Sequence, residues 1–153
     1  MNAPRQRGDR GETLIELLVA ITLMATAIAV IMGGIATSVR ISDQHRKQAT
    51  AGASVRDFAE AIENRLASSA TGYVESCSAM KATYEGVYTA PAGYVRSIDM
   101  SEGWNGSTGT FGACVDSGTL RRITLSVRST DNRAKEELQL VIRKPCRPTD
   151  TPC

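Results

Sequence analysis

The sequence has little of what most enzymes and metal sites are built from. It contains one histidine, His45, and four cysteines, none of which forms a C-x-x-C pair. Structural zinc sites need closely spaced thiol and imidazole ligands, so the sequence argues against a bound metal. It also lacks a phosphate-binding loop, a nucleophile elbow and a histidine-based proton relay. We therefore predict a protein that is not an enzyme and that uses no cofactor.

Strong net charge is also missing. The chain has 18 basic and 16 acidic residues, a net charge of +2. The first eleven residues account for all of it, because Arg5, Arg7 and Arg10 outnumber Asp9. The rest of the chain is balanced, so its total charge indicates neither a nucleic acid nor a membrane surface as a partner.

One long apolar run is present. The 23 residues 17–39 carry no charge. As a helix they would extend about 34 Å, enough to cross a hydrocarbon core of about 30 Å. The segment therefore predicts a single membrane span, with its last part at Gly33 and Gly34 either bent or packed closely against another helix.

The residues before this run form a second pattern. A basic leader ends at a small residue, and a lone acid follows five positions later, in the order Gly11, Glu12, Thr13, Leu14, Ile15, Glu16. This combination resembles the N-terminal signal of type IV prepilins and type II secretion pseudopilins. The resemblance implies cleavage after Gly11 by a prepilin peptidase and N-methylation of the new terminus at Glu12. It also implies that the chain is a structural filament subunit whose partners are other pilin or pseudopilin subunits and membrane lipid.

Glu16 is the unusual residue of the apolar helix. A carboxylate near the bilayer centre costs about 2.5 to 3.5 kcal/mol, so an acid inside a span indicates a function. The resemblance implies that Glu16 pairs with the amino terminus of a neighbouring subunit and sets the stagger during assembly. The alternative is that Glu16 reaches the membrane interface and has no special role. Glu12 stands where the family usually has Phe, and it adds a second carboxylate beside the new terminus.

Two other fates of the N-terminal segment compete with this interpretation. Ala25, Thr26 and Ala27 form an A-x-A pattern that is typical of a secretory cleavage site. Glu16 inside the apolar region and the apolar continuation beyond Ala27 argue against it. The second alternative is a membrane-anchored exported domain that keeps its leader and never polymerises.

All four cysteines follow the span. An even number in a small exported domain predicts two disulfides, because disulfides persist mainly in oxidising compartments. Three connectivities are open; we favour Cys77 with Cys114 and Cys146 with Cys153, since the last two would close a short loop. Free thiols in a cytosolic domain are the alternative. Basic residues flank both ends of the span, and the cysteines favour a C-terminal domain exported from the cytoplasmic (inner) membrane, with an extracellular filament after assembly.

Beyond the span the chain alternates between two periodicities. The first is the spacing of an amphipathic helix, whose apolar residues are Val55, Phe58, Ala59, Ile62 and Leu66. This helix should end near residues 68–72. A period of two follows later and predicts an antiparallel hairpin, with inward residues Ile123, Leu125, Val127, Leu138, Leu140 and Ile142. Weaker strand patterns occupy residues 84–88 and 94–98, and residues 101–118 are predicted to be a long loop.

A local excess of basic residues accompanies the hairpin. Its candidate patch consists of Arg121, Arg122, Arg128, Arg143 and Lys144. Such a patch is either the solvated face of the hairpin or a DNA contact of a minor tip subunit. The aromatic platforms expected for single-strand binding are not interleaved with these bases, so DNA is the weaker interpretation.

Together these patterns predict an α+β chain with a pilin-like ladle fold. A long N-terminal membrane-spanning helix would continue into an amphipathic helix packed on a small antiparallel β-sheet. We expect a basic leader over residues 1–11 and a transmembrane and polymerisation helix over 12–41. An amphipathic helix over 42–72 and a disulfide-bearing antiparallel β domain over 73–153 would follow.

Overall fold

The computed structural model describes residues 12–68, 71–116 and 118–145. Within these ranges the chain forms two helices and four strands: α1 (Glu12–Ser68), α2 (Cys77–Glu85), β1 (Tyr94–Asn105), β2 (Thr110–Ala113), β3 (Leu120–Ser129) and β4 (Lys135–Arg143). The chain divides into two compact units, Met1–Asp43 and Gln44–Cys153. The fold class predicted from the sequence, α+β with a long apolar N-terminal helix and a small antiparallel sheet, is confirmed.

The first unit contains the apolar part of α1. No proline interrupts this segment, and the helix runs without a break through Gly33 and Gly34. Its large apolar side chains are exposed, from Leu14 at 70% to Val39 at 64%. By length and composition, Leu14–Ser68 is the one helix in the described residues that could cross a membrane.

The second unit is built around one hydrophobic core. The predicted stripe of α1 is buried, and Phe58 and Ile62 are fully excluded from solvent. They belong to the same cluster as the inward residues of the sheet, Ile98, Ile123, Leu125, Val127 and Ile142. The Phe58 ring stacks on Tyr88 with centroids 5.5 Å apart. This part of α1 therefore covers one face of the sheet.

The sheet is antiparallel throughout, with strand order β2-β1-β3-β4. The predicted hairpin is confirmed as β3 and β4, which pair from Leu120↔Arg143 to Arg128↔Lys135. A bulge between Ile98 and Met100 shifts the register of β1 against β3. A bulge inserts one extra residue and reverses which side chains face the core, so Met100 is 55% exposed although Ile98 is buried.

The predicted weak strand over residues 84–88 is wrong, because its first two residues end α2 and a turn follows. The Ser76 hydroxyl accepts a hydrogen bond from the Ala79 N–H at 3.4 Å and caps the helix start. Met80 and Tyr84, four residues apart, are both fully buried. A cap and an i, i+4 pair favour a helix, and they outweigh the β propensity of the tyrosines and valine.

The predicted long loop over residues 101–118 is also wrong in part. β1 extends beyond the predicted residues 94–98 to Asn105, and β2 pairs with its end. Trp104 lies opposite Phe111, and their rings meet edge to face with centroids 5.1 Å apart. Gly109 adopts φ 66° in the connecting turn, a conformation that glycine reaches without steric cost. The aromatic pair and the turn make a hairpin of a segment whose composition is typical of a loop.

Candidate functional site

The N-terminal end of α1 holds the residues predicted to direct processing and assembly. Gly11 lies outside the described residues, and α1 begins at Glu12. Glu16 follows four residues later, about one helical turn along. From Leu14 onward the side chains of this turn and the next are exposed.

The exposed surface of this helix is apolar over many turns. Its exposed large hydrophobic side chains are Leu14, Ile15, Leu17, Leu18, Val19, Ile21, Leu23, Met24, Ile28, Val30, Ile31, Met32, Ile35, Val39 and Ile41. An exposed apolar surface of this extent is unstable in water and marks a membrane or protein contact. The helix therefore needs lipid or neighbouring apolar helices around it.

The second unit is fastened by a disulfide. Cys77 and Cys114 are bonded, which is the first of the two favoured pairings. The bond joins the first residue of α2 to the segment that follows β2, and the Cys77 N–H also donates to Asp116 Oδ1 at 2.8 Å. Cys146 and Cys153 lie outside the described residues, so their pairing stays a prediction.

Arg121 lies next to this disulfide and is fully buried. Its guanidinium donates to the backbone carbonyls of Val74 and Glu75 on one side and of Val115 and Asp116 on the other. These four carbonyls belong to the segments that flank Cys77 and Cys114. Arg121 therefore joins the same two segments as the disulfide, by hydrogen bonds instead of a covalent bond.

Two buried tyrosines complete this cluster. The Tyr73 ring lies 5.4 Å from the Arg121 guanidinium, and its hydroxyl donates to the Gly118 carbonyl at 2.6 Å. The Tyr84 hydroxyl accepts from the Val74 N–H at 3.0 Å and donates to the Gly72 carbonyl. Burial raises the pKa of both phenols above the ordinary value of 10, so both remain protonated donors at physiological pH.

The predicted basic patch does not assemble. Arg121 is buried because it lies in phase with Ile123 and Leu125, on the face of β3 that packs in the core. Arg122 is on the other face, where its Nε lies 2.7 Å from Glu102 Oε2, and this hydrogen bond lowers the pKa of the Glu102 carboxyl. Lys144 pairs with Glu75 at 2.7 Å.

The two remaining members of the patch lie far apart. Arg128 is at the turn end of the β3–β4 hairpin and Arg143 is at its open end. The five residues therefore do not form one basic surface: one is buried, two are paired with acids, and the other two are at opposite ends of the hairpin. This arrangement gives no support to a DNA contact across the hairpin.

A comparison with known families bears on the N-terminal segment. Residues 6–32 match the family described as the prokaryotic N-terminal methylation motif. The chain carries the type IV pilin and pseudopilin signal. No curated protein and no solved structure matches the chain.

The signal covers residues 6–11 of the leader, the predicted cleavage position and the first part of α1. Its match includes Gly11, Glu12 and Glu16. The pilin signal and the exposed apolar helix together support a membrane-anchored protein, and the signal favours a structural role over an enzymatic one. The resemblance stated from the sequence is confirmed over these residues.

The cluster around Arg121 was missed by sequence reasoning, although the strand pattern contained the information. A strict alternation places Arg121 on the same face as Ile123, Leu125 and Val127. The prediction that Arg121 is on the surface depended only on the number of basic residues near it in the sequence. Two of the four carbonyls that accept its hydrogen bonds are 46 and 47 residues away, and the other two are five and six residues before it. No sequence pattern indicates that they converge.

Proposed function

We propose that this chain is a structural subunit, a pilin or minor pseudopilin, of a type IV pilus-like or type II secretion-like filament. The observation that carries the proposal is the pilin signal over residues 6–32, read with the exposed apolar surface of the helix that begins at Glu12. Both features favour a membrane-anchored structural subunit over a soluble protein.

The proposed route begins in the membrane. The leader, residues 1–11, stays in the cytoplasm while residues 12–41 span the cytoplasmic membrane once. Prepilin peptidase cuts between Gly11 and Glu12, and the new amino group of Glu12 is methylated. The amphipathic part of the helix and the β domain, residues 42–153, are exported, where the Cys77–Cys114 disulfide is stable.

Assembly follows from burying the apolar helices against one another. In lipid, an unpaired Glu16 carboxylate is costly, and the amino terminus of a neighbouring processed subunit provides a positive partner. That pairing sets the axial offset between subunits as they leave the membrane. The β domains then form the outside of an extracellular filament.

The test is the mass of the N-terminal peptide of the full chain isolated from membranes of a host that makes prepilin peptidase. The wild type is expected to begin at Glu12, with or without a methyl group. Gly11→Val should retain residues 1–11, because a β-branched side chain hinders the extended backbone at the cut. Gly8→Val, the matched glycine within the leader, should be cleaved normally.

The contrary results are equally distinct. A wild-type chain that keeps its leader would indicate an anchored domain that does not polymerise. A chain that begins after Ala27 would indicate an ordinary secretory signal.

A further inference from the structure

The second unit contains a groove beside residues 94–101 of β1, the part of this strand that β2 does not pair with. It has a volume of about 580 Å³, and we call it the β1 groove. Its charged lining consists of four bases, Lys81, Arg96, Arg128 and Lys135, and two acids, Glu85 and Asp99. The lining therefore has two more positive charges than negative ones.

Both acids of the β1 groove are engaged. Asp99 Oδ2 lies 2.9 Å from the Lys135 ammonium. Glu85 Oε1 accepts from the Ile98 N–H at 2.8 Å and lies 3.9 Å from the Lys81 ammonium. The negative charges inside the groove thus already have partners.

The two arginines of the groove lack such partners. Arg96 Nε donates to the Glu85 backbone carbonyl at 2.5 Å, and Arg128 Nη1 donates to Asn132 Oδ1 at 2.9 Å. Neither guanidinium pairs with a carboxylate within the described residues. Guanidinium groups bind carboxylates with two parallel hydrogen bonds, so the two side chains are suited to acidic groups brought in by a ligand.

An acidic surface lies elsewhere on the same unit. Asp57, Glu60 and Glu63 follow one another at intervals of three on α1, and all three are exposed. At 100° per residue Glu60 is at the centre of the solvent face, with the other two carboxylates on either side. Arg56 lies among them, which leaves an excess of two negative charges. None of these acids forms an ion pair within the described part of the chain; we call them the α1 acidic stripe.

The two surfaces cannot meet within one copy. The buried side of α1 packs against the sheet face that carries Ile123, Leu125 and Val127, and the α1 acidic stripe is on the side away from it. Arg128 has the opposite phase on β3 and lies beside Val95 and Lys135 of the neighbouring strands. Arg128 and the α1 acidic stripe are therefore on opposite sides of the sheet.

We propose that the β1 groove of one copy receives the α1 acidic stripe of a second copy. Arg96 and Arg128 bind the carboxylates of Asp57, Glu60 and Glu63 of that copy. The two surfaces are different patches of one chain, so the contact is head-to-tail, and repeated contacts of this kind produce an open helical array. The inference rests on the proposed filament and names a protein–protein contact within it.

The experiment uses two differently tagged full-length copies produced together in one membrane. A carbodiimide joins an amine to a carboxylate that is in contact with it. It is expected to link Lys81 or Lys135 of one copy to the α1 acidic stripe of the other, giving a dimer that carries both tags and whose joined peptides mass spectrometry identifies.

Charge reversal supplies the decisive comparison. Arg96→Glu with Arg128→Glu should reduce the linked dimer by about tenfold or more, and Asp57→Lys with Glu60→Lys should do the same. A chain with all four changes should recover the dimer, because its two surfaces again have opposite charges. Arg143→Glu, an exposed arginine outside the groove, should leave the dimer unchanged.

The contrary outcomes are clear. The proposed contact is overturned if the linked dimer survives either double charge reversal or does not return in the fourfold variant. It is also overturned if the cross-link joins the chain to a different protein instead. Arg96→Lys with Arg128→Lys keeps the charge and should keep the dimer, which separates lost charge from misfolding. The mass of the N-terminal peptide of each variant is recorded as well. A leader retained in the wild type would contradict the proposed filament. The cross-link tests the contact between two copies separately, because it forms whether or not a filament is assembled.

Discussion

Arg121 combines full burial with a permanent charge. Its guanidinium is surrounded by backbone carbonyls and by the Tyr73 ring, and it contacts no carboxylate in the described residues. Each of those carbonyls would lose a charged donor if the guanidinium were removed, and only the Val115 carbonyl is seen to keep another one, the Gly118 N–H at 3.0 Å, among the hydrogen bonds of the described residues. Leaving a buried acceptor unsatisfied costs about 1 to 3 kcal/mol.

Arg121→Leu should therefore lower the free energy of unfolding by about 3 kcal/mol. The measurement is urea unfolding of the detergent-solubilised full chain, followed by fluorescence of Trp104, its single tryptophan. Arg143→Leu, which removes an exposed arginine from β4, should stay within about 0.5 kcal/mol of the wild type. An Arg121 variant as stable as that control would refute the structural role given to this residue.

Asp131 is the acid that fastens the β3–β4 turn to α1. Its carboxylate accepts from the Lys47 ammonium at 2.5 Å and from the Ser129 hydroxyl at 2.7 Å. These hydrogen bonds, with Lys47 the largest influence, hold the pKa of Asp131 well below its ordinary value. A lowered pKa stabilises the fold above the unfolded-state pKa of about 3.9, and this stabilisation is lost as the pH falls toward the folded-state value.

Asp131→Asn should thus lower the melting temperature at pH 7. The difference in melting temperature between this variant and the wild type should become smaller as the pH falls below about 4. Circular dichroism of the solubilised full chain at several pH values measures this difference. Gln139→Ala, at an exposed side chain that carries no charge, should show a small difference in melting temperature that is constant with pH. A constant difference for Asp131→Asn as well would mean that the Lys47 pairing contributes nothing.

At the scale of elements, α2 makes two contacts that stabilise the second unit. Its Glu85 covers the part of β1 that β2 does not pair with: the Glu85 side chain accepts the Ile98 N–H, and its backbone carbonyl accepts a hydrogen bond from the Arg96 guanidinium. Unprotected edges invite pairing with other chains, so a covered edge directs association away from strand addition. Its first residue, Cys77, fastens the helix to the segment after β2.

Replacing both Cys77 and Cys114 by Ala should lower the free energy of unfolding by about 4 kcal/mol, because the bond closes a loop with a sequence separation of 37. Urea unfolding of the oxidised wild type and of the double variant provides the comparison. The reduced wild type should resemble the variant. A loss below about 1 kcal/mol would show that hydrogen bonds such as those of Arg121 hold the two segments without the disulfide.

The elements differ in how far the sequence predicts them. The β3–β4 hairpin was predictable because Ile123, Leu125 and Val127 alternate strictly with polar residues. The helix at Cys77–Glu85 was not, because nine residues display barely two turns of periodicity and their apolar side is divided between Met80 and Tyr84. The β1–β2 hairpin was hidden because its strands contain Gly103 and Gly112, which lower β propensity, and its pairing depends on Trp104 meeting Phe111.

At the scale of the whole molecule, the chain combines two kinds of surface. Residues 14–41 expose apolar side chains almost continuously, whereas the second unit buries its apolar side chains in a core. The first surface is stable in lipid or against other helices of its kind, and the second is stable in water. A subunit that moves from a membrane into a filament needs both.

Glu16→Gln should leave cleavage after Gly11 intact and reduce the recovery of one tagged copy with another by about tenfold or more, because the neutral amide forms no ion pair with an amino terminus. Co-purification from detergent-solubilised membranes measures recovery, and the N-terminal mass measures cleavage. Thr22→Val removes another polar group of the helix, whose hydroxyl only donates to the Val19 carbonyl. That variant should assemble normally, and equal recovery of the two variants would count against a pairing role for Glu16.

The features that the sequence by itself determined are those encoded by neighbouring residues. The pilin signal is contiguous, and an apolar run of 17–39 exceeds what a soluble helix needs. The amphipathic stripe of α1 and the alternation of the β3–β4 hairpin depend on fixed periods along the chain. The Cys77–Cys114 bond could be favoured among three connectivities, and the structure contains it.

Only the tertiary structure decided which charges are free to act. Along the sequence Arg121, Arg122 and Arg128 are three similar arginines of one strand. In the fold the first is buried among carbonyls and the second is paired with Glu102. The third lines the β1 groove and has no carboxylate partner in the part of the chain that the structure describes. The difference arises because the surroundings of a charge are set by segments distant in sequence, which periodicity along a single strand does not encode.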